Sequence, residues 1–350
     1  MKLSFFMPSA AQRAGGLDAA IDGLRGALRS RGVEVEDELP RHAGDDRVVH
    51  FHGLWQPSHA RASLRCAMLN LPAVVSPHGM LEPWAWRHKR WKKLPYFQLV
   101  EKAHLSRADA LLATAPAEAS RLAGFIPTQR IETLPLGLTG DARPDYENAR
   151  RILGWAPHER VLLFLSRIHP KKGLDLLLRA LSKMRVPNDV RLVVVGDGEK
   201  TYVQQLQNFA ARNAHRLPPI DWRGAVWGEA RWSYFQGADL FCLPTHSENF
   251  GLAVLESCQV GTPAMTTVDT PWADHFADHH GFIGHPTAES LREMLSEFFA
   301  QPATSPAQRQ ELADWAWARF HWEPLGARYV AFYEGLLRSN RHRPRNQLTD

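Results

Sequence analysis

The sequence predicts an α/β protein with two domains, each built on a parallel sheet. Short runs rich in β-branched and aromatic residues alternate with longer helical patterns along the chain. Strands separated by helices are typical of a parallel sheet with helices on both faces. The length of 350 residues fits two domains of about 100 to 200 residues each. With 44% hydrophobic and 23% charged residues, the composition is that of a globular protein and excludes a disordered or fibrous one.

Nine segments are predicted as strands, five in the first part of the chain and four in the second. They are KLSFF, VVHF, AVVS, ALLAT and IETL, then VLLFL, RLVVV, DLFCLP and PAMTT. The clearest helix is GLDLLLRALSKM, in which four leucines follow the spacing i, i+3, i+4 and i+7. These are Leu174, Leu177, Leu178 and Leu181. This stripe is expected to pack on a sheet.

A polar segment between IETLPLGL and VLLFL contains two prolines and no strand pattern, which is typical of a linker followed by a short helix. It predicts a boundary near Asp141, with a first domain at 1–141 and a second at 142–322. Near the C-terminus the helical pattern is interrupted at HWEP. Because helices end or bend near proline, Pro324 is expected to mark a crossing, after which residues 323–350 rejoin the first domain.

Neither a secretion signal nor a membrane span is predicted. The apolar stretch Leu3 to Met7 is shorter than the roughly 7 to 15 residues of an export signal, and it is interpreted as a first buried strand. No apolar run approaches the roughly 20 residues of a membrane-spanning helix. Cys66, Cys242 and Cys258 lack CxxC spacing, which argues against a disulfide framework or a cysteine metal site. A cytoplasmic protein is expected.

The densest functional pattern is PTHSENFGLAVLESCQVGTPAMTT. A strand is expected to end at Pro244, a loop to carry Glu248, and a helix to begin near Phe250 and carry Glu256. Backbone N–H groups at a helix start bear partial positive charge and suit a phosphate or a developing anion. The structural alternative makes Glu248 a favourable acid near a helix start and Glu256 a solvated helix residue.

A second pattern is LSRIHPKKGLDLLLRA, where a strand is expected to end at Ser166. Arg167 and Lys172 then precede a helix. Two fixed cations beside a helix N-terminus would neutralise a diphosphate and stabilise it as it leaves. The alternative is a basic loop on the surface.

The segment from Pro244 to Thr267 resembles the E-x7-E signature of the retaining glycosyltransferases of family four, which have the GT-B fold. The match extends through Glu248, Phe250, Gly251, Glu256, Gly261 and Pro263. The resemblance implies two Rossmann-like domains facing a central cleft. It also implies that Glu248 contacts the donor sugar, that Glu256 binds the ribose hydroxyls, and that the amides between them hold sugar and phosphate. The donor-binding residues implied here are Glu248, Asn249, Phe250, Gly251, Leu252 and Glu256.

The same family places an arginine and a lysine against the donor diphosphate, which assigns those roles to Arg167 and Lys172. Lys172 is preferred over Lys171 because it directly precedes Gly173, as the family pattern requires. In the loop DWRGAVWGEARW the family holds the nucleotide base, here near Gly224 and Val226, largely through backbone groups.

The tripeptide Gly196-Asp197-Gly198 is a weak cofactor motif. Thr201 stands where a dinucleotide fingerprint has its third glycine. The tripeptide matches instead the turn that leads from a strand into the base-binding loop in these transferases.

The first half of the chain holds weaker candidates. Gly15 and Gly16 follow the first predicted strand, where the absence of side chains lets backbone approach a phosphate. A turn is the alternative, but the family uses such a pair against the donor diphosphate. His78 follows a buried strand at a position where the family has a histidine close to sugar and acceptor. It is interpreted as an active-site residue, whether acid, base or hydrogen-bond donor, although a satisfied structural histidine is the alternative. His52 is a similar candidate.

The segment Trp84 to Lys93, here named the basic cluster, interleaves charge with tryptophan. Its cations are Arg87, Lys89, Arg90, Lys92 and Lys93. Three interpretations stay open: a solvated helix face, a patch for anionic lipid, in which each cation contributes about 1 kcal/mol, or a site for an anionic acceptor. No recognised nucleic-acid motif accompanies the charge, so nucleic acid is not expected as a partner.

Neither a metal nor another cofactor is expected. His275 and His279 have the i, i+4 spacing of metal ligands on a helix. However, the aspartates do not form a DxD motif, and the diphosphate is already assigned to Arg167 and Lys172.

The resemblance therefore implies an enzyme that moves a sugar from a UDP- or GDP-linked donor to a hydroxyl of a glycan or lipid-linked acceptor. Retention of anomeric configuration and a role in cell-envelope polysaccharide or lipopolysaccharide synthesis are expected. So is peripheral contact with anionic membrane at the cytoplasmic face of the inner membrane. The donor is assigned mainly to the second domain and the acceptor to the first.

Three other functions on this fold are considered. The alternatives are a non-catalytic nucleotide- or sugar-binding module, a nucleotide-sugar epimerase and a glycan phosphorylase. The presence of Glu248, Arg167 and Lys172 argues against the module, and the family-four residues argue against the epimerase. No lysine stands out as a pyridoxal anchor for the phosphorylase.

Overall fold

The computed structural model describes residues 1–8, 17–39, 46–87, 90–276 and 281–341. The chain divides into two compact units, one of Met1–Thr139 with Phe320–Asp350 and one of Gly140–Arg319. In the described residues each unit contains one sheet of six strands, and neighbouring strands in each sheet are parallel. The predicted α/β architecture with two parallel sheets is confirmed.

The first unit contains strands β1 (Lys2–Phe6), β2 (Glu34–Glu36), β3 (Arg47–His52), β4 (Ala73–Ser76), β5 (Ala110–Ala113) and β6 (Ile131–Thr133). Their order in the sheet is β2-β1-β3-β4-β5-β6. Its helices are α1 (Leu17–Arg29), α2 (Pro57–Met68), α3 (Pro83–Arg87), α4 (Arg90–Tyr96), α5 (Lys102–Arg107), α6 (Pro116–Phe125) and α15 (Trp322–Arg341). A π-helical turn, Phe97–Glu101, joins α4 to α5.

This sheet is buried on both faces. Val48 belongs to a core formed with α1 and α15, whereas its neighbour Val49 belongs to a core formed with α2, α5 and α6. Successive side chains of a strand point to opposite faces, so β3 needs apolar residues at consecutive positions. The unbroken run VVHF satisfies this need, and all six residues of β3 are buried.

The second unit contains strands β7 (Arg160–Leu165), β8 (Val190–Val195), β9 (Ile220–Gly224), β10 (Leu240–Cys242), β11 (Ala264–Thr267) and β12 (Gly281–Gly284). Their order is β12-β11-β10-β7-β8-β9. Its helices are α7 (Tyr146–Leu153), α8 (Leu174–Ser182), α9 (Lys200–Arg212), α10 (Ala230–Gly237), α11 (Leu252–Gln259), α12 (Trp272–His275), α13 (Ala288–Ala300) and α14 (Pro306–Phe320). A short 3₁₀ turn, Pro170–Lys172, precedes α8.

The strand order of the second sheet reverses at β7. The chain proceeds from β7 to β8 and β9 on one side, then returns to place β10, β11 and β12 on the other. In doubly wound sheets, ligands bind outside the carboxyl ends of the strands at this switch point. The loops that follow β7 and β10 are therefore the expected positions for functional groups.

The predicted leucine stripe is confirmed. Leu174, Leu177, Leu178 and Leu181 lie on α8 and are fully buried. Burying a leucine side chain contributes about 1.5 to 3 kcal/mol, so this stripe anchors α8 on its sheet.

Three strands were not predicted, namely β2, β9 and β12. All three lie at sheet edges, and their sequences EVE, IDWRG and GFIG carry charged residues or glycine. An edge strand pairs on one side only, so it does not need the continuous apolar run of a central strand.

The helical pattern near the C-terminus breaks at His321 rather than across HWEP. The helix α15 begins at Trp322, and Pro324 lies within its first turn, where a missing N–H costs no hydrogen bond. The Trp322 Nε1–H donates to the carbonyl of Leu138 at 2.8 Å. This bond fixes the start of α15 to the end of the first segment of its own unit.

Among the described residues, no helix is both long enough and apolar enough to cross a bilayer. The three cysteines are buried free thiols.

A buried charged network joins three elements of the second unit. Asp239, just before β10, lies 3.1 Å from Arg150 of α7 and 3.3 Å from Arg309 of α14. Its carboxylate also accepts hydrogen bonds from the Tyr146 hydroxyl and the Val161 amide. A single carboxylate therefore links both helices to the central strands.

Replacing Asp239 with asparagine should destabilise the second unit strongly. The change keeps the side-chain shape but leaves two buried guanidinium groups without their counter-charge. Breaking a buried ion pair typically costs about 3 to 5 kcal/mol, and urea unfolding followed by circular dichroism would measure it. The control is Asp221→Asn, whose partner Arg223 is exposed, and which should cost at most about 1 kcal/mol. Equal small losses for both variants would contradict a supporting role for the network.

Candidate functional site

The loops after β7 and β10 pack directly on each other. The His246 amide and the Thr245 hydroxyl both donate to the carbonyl of Lys171, at 2.8 and 3.0 Å. Gly173 has φ +72°, and a Cβ atom there would lie 2.0 Å from the Pro244 carbonyl oxygen. Only glycine permits this approach. The strand order thus brings the two predicted motifs into one cluster.

Lys172 and Glu248 form an ion pair in this cluster, with Lys172 Nζ donating to Glu248 Oε1. Burial raises the pKa of Glu248, but the ammonium groups of Lys172 and Lys171 outweigh that effect and hold the pKa below its ordinary value. Glu248 is therefore ionised at neutral pH. The two residues predicted to meet the donor sugar and its diphosphate lie in contact.

The helix behind Glu248 begins two residues later than predicted. Gly251 precedes it with φ +78°, and α11 starts at Leu252 rather than near Phe250. A Cβ atom at Gly251 would lie 2.9 Å from Trp272 Nε1, and this same nitrogen donates to the carbonyl of Phe250 at 2.6 Å. Trp272 is fully buried, so its hydrogen bond holds the backbone of the loop in place. Helix N–H groups at such a start are available for an anion.

Glu256 is not a solvated helix residue. It is only 7% exposed, on α11, and its Oε1 lies 3.2 Å from the guanidinium of Arg231 on α10. Arg231 was not singled out from the sequence. It lies 25 positions before Glu256, and no motif or periodic spacing links two residues on different helices.

The remaining donor residues predicted in the second unit lie at the carboxyl ends of its strands or in the loops that follow them. Arg167 follows β7 and is exposed, Gly224 ends β9 and is exposed, and Val226 follows it and is half-buried. Asn249 is half-buried beside Glu248. The turn Gly196-Asp197-Gly198 packs against the loop after β7, where the Ile168 amide donates to the Asp197 carbonyl at 2.7 Å. That turn is a structural support.

In the first unit, His52 and His78 form a pair at the carboxyl ends of β3 and β4. His52 Nδ1 lies 3.0 Å from His78 Nε2, and the ring planes differ by 12°. Burial lowers the pKa of His78 to about 4. Burial lowers the pKa of His52 well below its usual value, and the neighbouring imidazoles of His50 and His78 act in the same direction. Both rings are neutral at pH 7, so the pair donates and accepts hydrogen bonds without carrying a charge.

The turn that carries His78 is held in an uncommon conformation. His78 has φ +50°, which costs a non-glycine residue about 1 to 3 kcal/mol. The adjacent Gly79 amide donates to Glu118 Oε1 at 2.8 Å, and Thr114 donates to the other Glu118 oxygen. A buried carboxylate thus holds the turn in place.

The basic cluster does not form one continuous described helix. Arg87 ends α3, whereas Arg90, Lys92 and Lys93 lie on α4. Lys89 lies outside the described residues, as do Gly15 and Gly16. Trp91 of α4 is 73% exposed, and Leu99 of the following π-helical turn is 80% exposed. Large exposed apolar side chains and cations therefore alternate along this segment, and the Lys92 ammonium lies over the Trp91 ring.

Within the described ranges, no group of three histidine, cysteine, aspartate or glutamate residues is arranged to hold a metal ion. His275 packs on Trp272, with ring centroids 5.4 Å apart. Its predicted partner, His279, lies outside the described residues.

Comparison with protein families finds matches in both units. The model of the glycosyl transferases group 1 matches residues 145–314, and the model of glycosyltransferase family 4 matches residues 38–139. The first match contains the Lys172–Glu248 cluster, and the second contains His52 and His78.

Individual relatives support the same grouping. The chain is 30% identical to a D-inositol 3-phosphate glycosyltransferase from Segniliparus rotundus over 70% of this chain and 56% of the relative. Matches to further proteins of that name cover 38% to 59% of their length, so the chain spans about half of these curated relatives. It is 27% identical to the GDP-mannose-dependent alpha-(1-6)-phosphatidylinositol monomannoside mannosyltransferase of Mycolicibacterium smegmatis, over 92% of this chain and 96% of the relative.

Among solved structures, Anabaena HepE in complex with UDP and glucose aligns with a TM-score of 0.72 and 16% identity. The alignment covers 96% of this chain and 100% of HepE, and at this identity it shows a common fold. With both family models matched and the GT-B fold shared, the chain belongs to the group 1 glycosyltransferases of family 4.

Proposed function

We propose that this protein transfers a sugar from a nucleotide-sugar donor to a hydroxyl of a glycan or lipid-linked acceptor, with retention of anomeric configuration. One observation carries the proposal. The ionised Glu248 lies against Lys172 at the switch point of the second sheet, beside the start of α11. A carboxylate, an ammonium group and helix amides together provide partners for a sugar and a phosphate.

The donor is assigned to the second unit. Lys172 and Arg167 would neutralise the diphosphate, Glu256 would bind the ribose, and the loop around Gly224 and Val226 would hold the base. The names of the relatives support UDP or GDP as the nucleotide. One relative is named GDP-mannose-dependent, and HepE was solved with UDP.

In the proposed reaction, the bond between the anomeric carbon and the diphosphate oxygen breaks while the acceptor oxygen bonds to that carbon on the same face. The acceptor's hydroxyl proton passes to the departing phosphate oxygen. The sugar ring gains positive character as the diphosphate leaves, so the fixed negative charge of Glu248 stabilises the transition state more than the ground state. The ammonium group of Lys172 stabilises the negative charge that develops on the leaving diphosphate.

The acceptor is assigned to the first unit. There the neutral His52–His78 pair can exchange hydrogen bonds with hydroxyl groups. The names of two relatives refer to inositol 3-phosphate and to a phosphatidylinositol mannoside, which supports a polyhydroxylated or lipid-linked acceptor. We further propose a role in cell-envelope polysaccharide or lipopolysaccharide synthesis at the cytoplasmic face of the inner membrane.

The basic cluster would provide peripheral contact with anionic membrane or with an anionic acceptor. Trp91 and Leu99 are largely exposed. Arg90 and Lys92 are exposed on the same helix as Trp91, and the Lys92 ammonium lies 4.8 Å from the Trp91 ring centroid, whereas the Lys93 ammonium donates to the Ala85 carbonyl. Aromatic and aliphatic side chains flanked by cations are typical of surfaces that bind the membrane interface.

Replacing Glu248 and replacing Glu256 with glutamine should have different kinetic effects. Glu248→Gln should lower kcat by about 10² to 10³, by analogy with removal of one oxyanion-hole donor, while nucleotide affinity stays within a few fold. Glu256→Gln should mainly raise the donor KM, since ribose binding is the same in ground and transition states. Steady-state kinetics and calorimetry with nucleotide would measure both effects.

The matched control for these substitutions is Glu289→Gln. Glu289 is an exposed carboxylate on α13, and its loss should change neither constant. Near-normal kcat in Glu248→Gln, or an unchanged donor KM in Glu256→Gln, would contradict the assigned roles.

Transfer should not require a divalent metal ion. The diphosphate is assigned to Lys172 and Arg167, and the sequence has no DxD motif. Activity measured after exhaustive treatment with EDTA should therefore persist. If activity is lost completely and Mg²⁺ or Mn²⁺ restores it, this prediction is wrong, and His275 and His279 become the candidate metal ligands.

Neutralising the basic cluster should weaken membrane or acceptor binding. The variant carries glutamine at Arg87, Lys89, Arg90, Lys92 and Lys93. It should sediment less with acidic vesicles or show a higher acceptor KM, because each cation near an anionic surface contributes about 1 kcal/mol. A control variant removes five exposed cations of the second unit, Lys183, Arg185, Lys200, Arg212 and Arg216. No difference between the two variants would favour a solvated helix face.

A further inference from the structure

Arg231 contacts two separate parts of the predicted nucleotide site. One nitrogen of its guanidinium, Nη2, lies 3.2 Å from Glu256 Oε1. The other, Nη1, donates to the carbonyl of Gly228 at 2.7 Å. Gly228 belongs to the loop that follows β9, which also carries Val226. One side chain thus connects the base-binding loop with the carboxylate assigned to the ribose.

The guanidinium is itself fixed in position. It lies over the ring of Trp232, 4.4 Å from the ring centroid, and Trp232 is only 4% exposed. A cation over an aromatic face is attracted by the negative charge of the ring face, which helps to hold the guanidinium in place. The planar guanidinium can hold two acceptors at once in a rigid geometry, which a lysine ammonium cannot reproduce.

This arrangement affects how Glu256 can meet a ligand. Its side chain is almost wholly buried, and a buried carboxylate needs a partner to remain ionised. Arg231 supplies the positive charge from one side and binds Oε1. The carboxylate is thereby oriented, and a carboxylate held in this way is a strong acceptor for the vicinal hydroxyls of a ribose.

We propose that Arg231 is a positioning residue for the donor nucleotide: it orients Glu256 and the loop at Gly228 so that the site selects a nucleoside with free 2′ and 3′ hydroxyls. The inference rests on the proposed role of Glu256 in ribose binding. A purely structural Arg231 would support the fold but would not affect selection between ribose and deoxyribose.

The test compares nucleotides that differ only in these hydroxyls. Calorimetry on the full chain measures binding of UDP and GDP and of their 2′,3′-dideoxy forms to wild type, Arg231→Gln, Arg231→Lys and Glu256→Gln. Wild type should prefer the ribonucleotide. Arg231→Gln should weaken its binding by about tenfold to a hundredfold, the range for a hydrogen bond to a charged group. The dideoxy form should be affected less, so the preference shrinks. Arg231→Lys should not restore it.

The control is Arg292→Gln, which removes an exposed arginine paired with Glu289 on α13 and should leave the preference unchanged. Thermal melting without nucleotide separates folding defects from binding defects. Suppose that Glu256→Gln abolishes the preference for the ribonucleotide. If Arg231→Gln then loses affinity for both nucleotide forms equally, or loses none, the proposed role of Arg231 is wrong. If wild type binds neither nucleotide, or Glu256→Gln keeps the preference, the donor assignment fails and this inference fails with it.

Discussion

The close approach of Gly173 to Pro244 is the constraint on which the candidate site depends. A side chain at residue 173 would have to occupy space 2.0 Å from a carbonyl oxygen. The loops after β7 and β10 would separate, and the hydrogen bonds that Lys171 accepts from the facing loop would be lost. Lys172 and Glu248 extend from these two loops, so their ion pair is a consequence of backbone packing. Because Gly173 has no Cβ atom, the two loops approach closely enough for Lys172 and Glu248 to form their ion pair.

The two units offer different chemistry at the carboxyl ends of their strands. The second unit places charged groups in pairs, Lys172 with Glu248 and Arg231 with Glu256. The first unit places a neutral pair, His52 with His78, whose burial keeps both rings uncharged. Ion pairs suit a substrate that carries a diphosphate, and neutral hydrogen-bonding groups suit hydroxyls. The proposed division into donor and acceptor units agrees with this difference.

The central strands and the residues of each motif could be predicted from the sequence because they obey local patterns. Strands buried on both faces produce continuous apolar runs, whereas the edge strands β2, β9 and β12 do not. The contact between Lys172 and Glu248 follows once β7 and β10 are known to be neighbours. The pairing of Arg231 with Glu256 could not be predicted, because it depends on how α10 and α11 pack. The start of α11 shifted because Gly251 adopts a left-handed conformation beside Trp272.

The division of the chain has a consequence for its synthesis on the ribosome. The second unit is continuous in sequence, whereas the first is completed only by the helix α15 at the far end. Tyr329, Phe332 and Tyr333 of that helix belong to the core that covers one face of the first sheet. The second unit can therefore fold while the first still exposes an apolar face. In the nascent chain, the strands of the first unit emerge before α15 and are fully buried only after it, and chaperones have that interval in which to act.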